Sequence, residues 1–387
     1  MKILDFNLDV SLVEENQLKL ANIIRTYIFN SNESLLDLLD FDNDDIFLQP
    51  ALFYYFFEAK EIKSVSLEQI LLGFFNDKKN IKNIEVFSDY NSIIHLPNLG
   101  KIVVNEKNES FLLNYDSIEN SFTIANNKVE LILYNIRETS RIKISINTPE
   151  VFTNPGDVLL ETIQTTTLKY YKYFEKALFL IKKIDTPLYK VIESVTKECF
   201  IFNSLKQDSF AIITYHGASF FNVENRDQDD IFFVEDIAHQ CGHIIFNALT
   251  LNINDYLTID KSTVLKDIFP NCLDTRSIYG IFHGLFTYTC ILHCLDGVKT
   301  SSLITSTEAN LIDARIGFYI GKFHMDLELL FTNKTLFTNK GLQFYDQFVS
   351  GYYKILNQYG TIIEKFNYSE QSYTFNTSIF IKQNNTI

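Results

Sequence analysis

From Ile278 to Leu295 the chain runs through IYGIFHGLFTYTCILHCL without a formal charge. Such a stretch belongs either in the middle of a folded core or in a bilayer. Two His, two Thr, two Gly and two Tyr interrupt it, and charged sequence flanks it closely. A buried core helix fits that pattern better than a membrane span. A helix apolar on all sides must be covered on all sides, so the rest of the chain has to wrap it.

There is enough chain to do so. Its 387 residues correspond to two or three domain-sized units. With 48 acidic against 34 basic residues the net charge is -14, which repels phosphate and argues against nucleic acid or an anionic membrane as partner. Met1–Val10 carries acids where a secretory signal needs an apolar segment. The five Cys (Cys199, Cys241, Cys272, Cys290 and Cys294) are odd in number and irregularly spaced. Reduced thiols in a cytoplasmic protein account for them simply. Cys290, His293 and Cys294 share helical spacing, but the paired-Cys knuckles of a structural zinc site are missing.

The hydrophobic period divides the chain. Residues 1–80 form an N-terminal helical region, with Ser11 and Glu14 at capping-box spacing and a break at Pro50. Residues 81–150 alternate with period two and read as an antiparallel β insertion of four to six strands, the last being RIKISIN. TNPGD then opens a long helix over about 158–183, FAIITYHGASFFNV reads as one or two core strands, and helices follow at about 230–252, 276–296, 306–331 and 340–366. Residues 151–366 are thus a helical catalytic region, and 367–387 a flexible or edge-strand tail. The fold class is α+β, predominantly helical, with an inserted antiparallel β region and a central metal-binding helix.

That central helix carries His239-Gln240-Cys241-Gly242-His243 within IFFVEDIAHQCGHIIFNAL. Two His four apart on a helix share a face and can bind one metal ion. In apolar surroundings, unpaired imidazoles would be costly. Asp236 and Glu235 precede His239 by three and four residues, and either could orient it or add a ligand. The plainer alternative is a pair of hydrogen-bonded core His. HExxH peptidases use the Glu between the His as general base, and here that position is Gln240, whose amide cannot take up a proton. An oxidative mechanism needs no such base, only two or three facial ligands on iron and open positions.

VEDIAHQCGH, followed by LDTRSIYGIFHGLFTYTCIL, resembles the HExxH-type peptide β-hydroxylases of ribosomal peptide natural-product (RiPP) biosynthesis, which depend on 2-oxoglutarate and iron. The likeness covers about residues 205–330. It lies in the HExxH-like helix, then Asp274-Thr275-Arg276 and Gly280-Ile281-Phe282-His283-Gly284. It implies a dioxygenase with His239, His243 and His283 as iron ligands, acting on a ribosomally synthesised precursor peptide. Gln240 departs from the motif Glu; with Asp236 it is the candidate catalytic residue beside the metal. A distal carboxylate on 2-oxoglutarate calls for a cation. Of six Arg, Arg276 is the first candidate and Arg315 the second. The alternative for Arg276 is a salt bridge to Asp274 or another acid. His216 reads as a core His, and His324-Met325-Asp326 as a helical imitation of a cupin HxD pair. Two rivals remain: a zinc peptidase using Glu235 or Asp236 as base, and a degenerate homologue binding peptide by edge-strand addition in 81–146.

Overall fold

The computed structural model describes residues 1–58, 65–133, 140–152, 155–224, 230–268, 274–331 and 333–384. It is 57% helix and 14% strand, a predominantly helical α+β protein. Arg137, Arg226 and Cys272 lie outside the described residues.

The chain opens on a two-stranded hairpin, β1 (Lys2–Ile3) and β2 (Phe6–Asn7), and enters α1 (Val10–Asn32). The N-cap of α1 is Asp9, whose carboxylate accepts from Leu12 N, and not the expected Ser11. The helix begins two residues earlier than the Ser–Glu spacing implies. Short helices α2 (Asp44–Phe47), α3 (Pro50–Phe57) and α4 (Leu67–Leu71) follow, with Pro50 starting α3. Next come β3 (Ile84–Phe87), β4 (Ile93–Leu96), β5 (Gly100–Val103), β6 (Ser110–Asp116), β7 (Ser121–Ile124) and β8 (Asn127–Val129). They make an antiparallel sheet in the order β3-β6-β7-β8 and a separate β4-β5 hairpin. Ile24, Ile28, Phe53 and Ile70 from the helices share one core with Val86, Ile94, Ile102 and Leu113 from the strands. The N-terminal helices and the β insertion therefore fold as one body.

RIKISIN does not belong to that antiparallel array. Its strand, β9 (Lys143–Ser145), pairs parallel with β10 (Glu198–Phe202), which pairs parallel with β11 (Ala218–Asn222). Parallel pairing needs a long crossover. α5 (Pro155–Val158), α6 (Ile163–Ile184) and α7 (Thr186–Val195) supply it between β9 and β10. On one face of this sheet Phe200, Phe220 and Phe210 stack at centroid spacings of 4.9 and 4.3 Å.

The other face backs α8 (Asp230–Leu249). After the short α9 (Leu265–Ile268) come α10 (Ile278–Thr300), α11 (Ser306–Phe331) and α12 (Asn339–Lys365). α8 and α10 pack side by side in the largest core cluster. α10, by length and composition able to cross a membrane, has 78% of its apolar window buried inside the protein. Where an edge strand or loose tail was expected, α13 (Thr377–Asn384) docks through Phe380 onto Phe366 and Phe375, at 5.1 and 5.3 Å. Its polar sequence hides an apolar side made of a few aromatics spread over the preceding loop.

Candidate metal centre

Every residue of α8 is buried except two, His239 and His243. In a helix otherwise enclosed, these two side chains are the ones that reach solvent. Their rings lie 4.8 Å apart. His283 on α10, 9% exposed, closes on His243 with ring centroids 4.3 Å apart at 86°. Ser277 caps α10, accepting from Gly280 N at 3.0 Å, and so sets where His283 emerges one turn later.

His283 Nε2 lies 3.1 Å from the His243 carbonyl oxygen and 3.0 Å from His243 Nδ1. A carbonyl only accepts, so Nε2 carries the proton and His243 Nδ1 accepts a share of it. Burial pushes the His243 pKa down to about 4. Burial, and then the neighbouring His243, push His283 well below the ordinary range. Both rings are neutral at pH 7, the form that binds metals. Phe246 stacks on His283 at 5.1 Å and Tyr279 lies at 5.3 Å, keeping one side dry.

Three imidazoles from two helices, the kind of donor a divalent ion takes, touch in series. The arrangement is that of a hydrogen-bonded pair plus a neighbour. Among the described residues no three His, Cys, Asp or Glu side chains are poised round one point. An ion bound here replaces the His243–His283 hydrogen bond.

Asp236 stands behind His239, 4.0 Å from its Nδ1, and accepts from Gln240 Nε2 at 2.9 Å. The same amide nitrogen is 3.4 Å from His239 Nδ1. Gln240 Oε1 is buried and has no hydrogen-bond partner among the described residues. Gln240→Glu would set a second carboxylate beside Asp236, and one of the two would have to keep a proton. An acid with a raised folded-state pKa stabilises the fold at low pH and loses that contribution as pH rises. The variant is therefore expected to be about 2 kcal/mol less stable than wild type at about pH 8 and to recover most of that only by about pH 4, read from urea unfolding.

Glu235 does not face the histidines. Arg315 on α11 takes its Oε2 in a very short ion pair, and Tyr319 donates to its Oε1. α11 lies on that side of α8 with a cation at the right height, so the carboxylate turns away from His239. This removes Glu235 as an orienting group or as a general base. Arg315, 1% exposed, is a buried structural cation. Arg276 donates to Asp274 through Nε and Nη2 and to Asp326 through Nη1 and Nη2, at 2.6–3.1 Å. Both candidate arginines are thus committed to carboxylates of the chain itself, Arg276 to Asp274 as the salt-bridge alternative has it.

His216 is a core residue, 1% exposed, with Nε2 2.9 Å from Gln17 Nε2. Burial pushes its pKa down to about 3. A depressed folded-state pKa leaves the stabilisation complete above the unfolded value of about 6.5 and lost as pH falls below it. Between about pH 7 and 5 this one group is expected to cost about 2 kcal/mol of stability, and His216→Gln should flatten that part of the pH profile in urea unfolding. His324 is exposed and stacked on Tyr352 at 5.7 Å, away from the site, as expected of an imitation. Its neighbour Asp326 is buried and accepts from Arg276. Arg315, Tyr319, Lys322 and Asp326 form a stripe along one face of α11, a helical spacing that is legible in the sequence once that face is known to be inward.

Comparison with known proteins adds no relative: no protein-family model matches the chain, and no curated protein matches it.

Proposed function

We propose that the chain is a cytoplasmic Fe(II)- and 2-oxoglutarate-dependent oxygenase that hydroxylates a β-carbon of a residue in a ribosomally synthesised precursor peptide. The observation that carries the reading is the exposure pattern of α8: its two solvent-reaching residues are His239 and His243, and His283 leans on the second. His239, His243 and His283 would hold the metal. Iron with a 2-oxo acid supplies the oxidising power for C–H hydroxylation.

The chain's own residues do the rest. Asp236 and the Gln240 amide fix the His239 side of the site, and Gln240 offers an amide oxygen where a peptidase carries its proton acceptor. Phe246 and Tyr279 exclude water from the His283 side. The test is to supply anaerobically prepared protein with iron, 2-oxoglutarate and the peptide encoded beside it, admit oxygen, and weigh the product. A peptide heavier by one oxygen atom, with succinate released, supports the reading. Cleaved peptide without oxygen or cosubstrate would establish the hydrolase instead.

One observation favours a second reading. The His243–His283 hydrogen bond at 3.0 Å pairs one nitrogen of each ring without an ion. A degenerate homologue that binds the peptide and performs no chemistry would keep such a pair.

A further inference from the structure

A tight turn closes the chain after β9: Phe152 N donates to the Pro149 carbonyl oxygen at 3.1 Å, with Glu150 and Val151 at the corner. Phe152 anchors that turn in the aromatic layer of the parallel sheet, 5.3 Å from Phe202 and 6.1 Å from Phe220. Glu150 is thereby held where α3 of the N-terminal body meets the sheet. Tyr215, from the single turn before β11, donates to Glu150 Oε2 at 2.7 Å. Tyr54 of α3 lies beside it, with ring centroids 5.4 Å apart.

Among the described residues no cation of the chain pairs with this carboxylate. The charged groups that act on it have partners of their own, Glu198 with Lys143 at 2.9 Å and His95 with Asp89 at 3.2 Å. Burial pushes the Glu150 pKa up, the Tyr215 hydrogen bond opposes this, and Glu198 adds to it. A carboxylate set among aromatic rings without a counter-ion is costly, and a cation brought from outside would remove that cost. The way in is open, because Glu150 and Tyr54 are both partly exposed. The Tyr54 hydroxyl makes no hydrogen bond among the described residues, and Glu150 and Glu58 both act on it. Tyr215, by contrast, is 1% exposed and fixed between Phe200 and Phe220, at 6.4 and 5.5 Å.

We propose that Glu150, Tyr215 and Tyr54 form a receptor for a primary ammonium group on an apolar stem, carried by a free alkylamine or by a lysine side chain of a peptide. With one oxygen of Glu150 taken by Tyr215, the carboxylate suits a compact point charge better than the planar fork of a guanidinium. The tyrosine rings add cation–π attraction and cover the stem. The site uses none of the histidines of α8 and α10, so its test stands apart from the oxygenase reading.

The experiment is calorimetric titration of the full chain at neutral pH, without iron or 2-oxo acid. The probes are N-acetyl-lysine methylamide, N-acetyl-norleucine methylamide, which has the stem without the amine, and butylammonium chloride. Wild type is expected to bind the lysine compound about tenfold or more tighter than the norleucine compound. Glu150→Gln, which still offers Tyr215 an acceptor, should erase that preference and leave the urea midpoint unchanged. Tyr54→Phe, which removes only the open hydroxyl, should cut the preference about threefold. Butylammonium that binds as tightly as the lysine compound supports a free amine as ligand; a lysine compound about tenfold tighter supports a peptide side chain. Wild type without the preference overturns the assignment, as does a folded Glu150→Gln protein that keeps it. Should Glu150→Gln fail to fold, an unchanged preference in Tyr54→Phe overturns it.

Discussion

If the proposed oxygenase reading holds, protein in which His239 and His243 are both alanine is expected to bind no iron and to lose peptide oxidation by about a thousandfold or more, because these side chains would be the metal's footing. Iron per chain, measured on anaerobically purified material, should fall from about one to below about a tenth. His283→Ala should weaken binding while leaving the α8 pair as a residual two-nitrogen site. The fold should tolerate these changes. The two histidines are the partly exposed members of α8, and truncating them opens space towards solvent instead of a cavity in the core. Should the double variant hold as much iron as wild type, the metal lies elsewhere and the oxygenase reading falls. Should it lose nothing in peptide affinity while wild type proves inert, the degenerate binder is correct.

Arg315→Met is expected to be the most destabilising of the single substitutions. The guanidinium is 1% exposed, pairs with Glu235, and lies 4.9 Å above the Phe375 ring. Without it Glu235 is left as an uncompensated charge inside the core, at a cost of about 3–5 kcal/mol. Removing both ends should be far milder: Glu235→Leu with Arg315→Met is expected to recover all but about 1–2 kcal/mol, since a well-packed apolar pair can replace a buried ion pair. Urea midpoints of the two singles and the double give the answer. A single variant within about 1 kcal/mol of wild type would mean that water reaches Glu235 and that α11 packs on α8 more loosely than described.

The helical half of the fold was legible because its signals are local. α11 begins at the residue expected, and α8, α10 and α12 start or end within a few residues of their apolar periodicity. Strand partners are a different matter. RIKISIN is visibly a strand, but whether it pairs with its neighbours in the chain or with β10 more than fifty positions later depends on contacts that no short window contains. The same limit applies to the site. His239 and His243 are found by spacing, and the structure brings His283 to them. Arg276 and Arg315 were chosen as scarce cations near the motif. The sequence offered Asp274 as a partner for Arg276, but not Asp326 or Glu235, which come from other helices and also hold these arginines.

The back of α8 has a consequence of its own. Cys241 projects opposite the histidines, where its thiol meets Ser219 of β11 at 3.6 Å, and Cys290 of α10 lies beside Gly242. Burial pushes the Cys241 pKa up to about 11 and that of Cys290 well above its ordinary value. A thiol kept protonated and dry reacts slowly with peroxide and with other oxidants, since the thiolate is the reactive form. Sulfur and imidazole thus occupy opposite sides of one helix, a backbone's width apart. Under the proposed oxygenase reading, any reactive oxygen would form on the imidazole side, and the body of the helix would stand between it and these thiols.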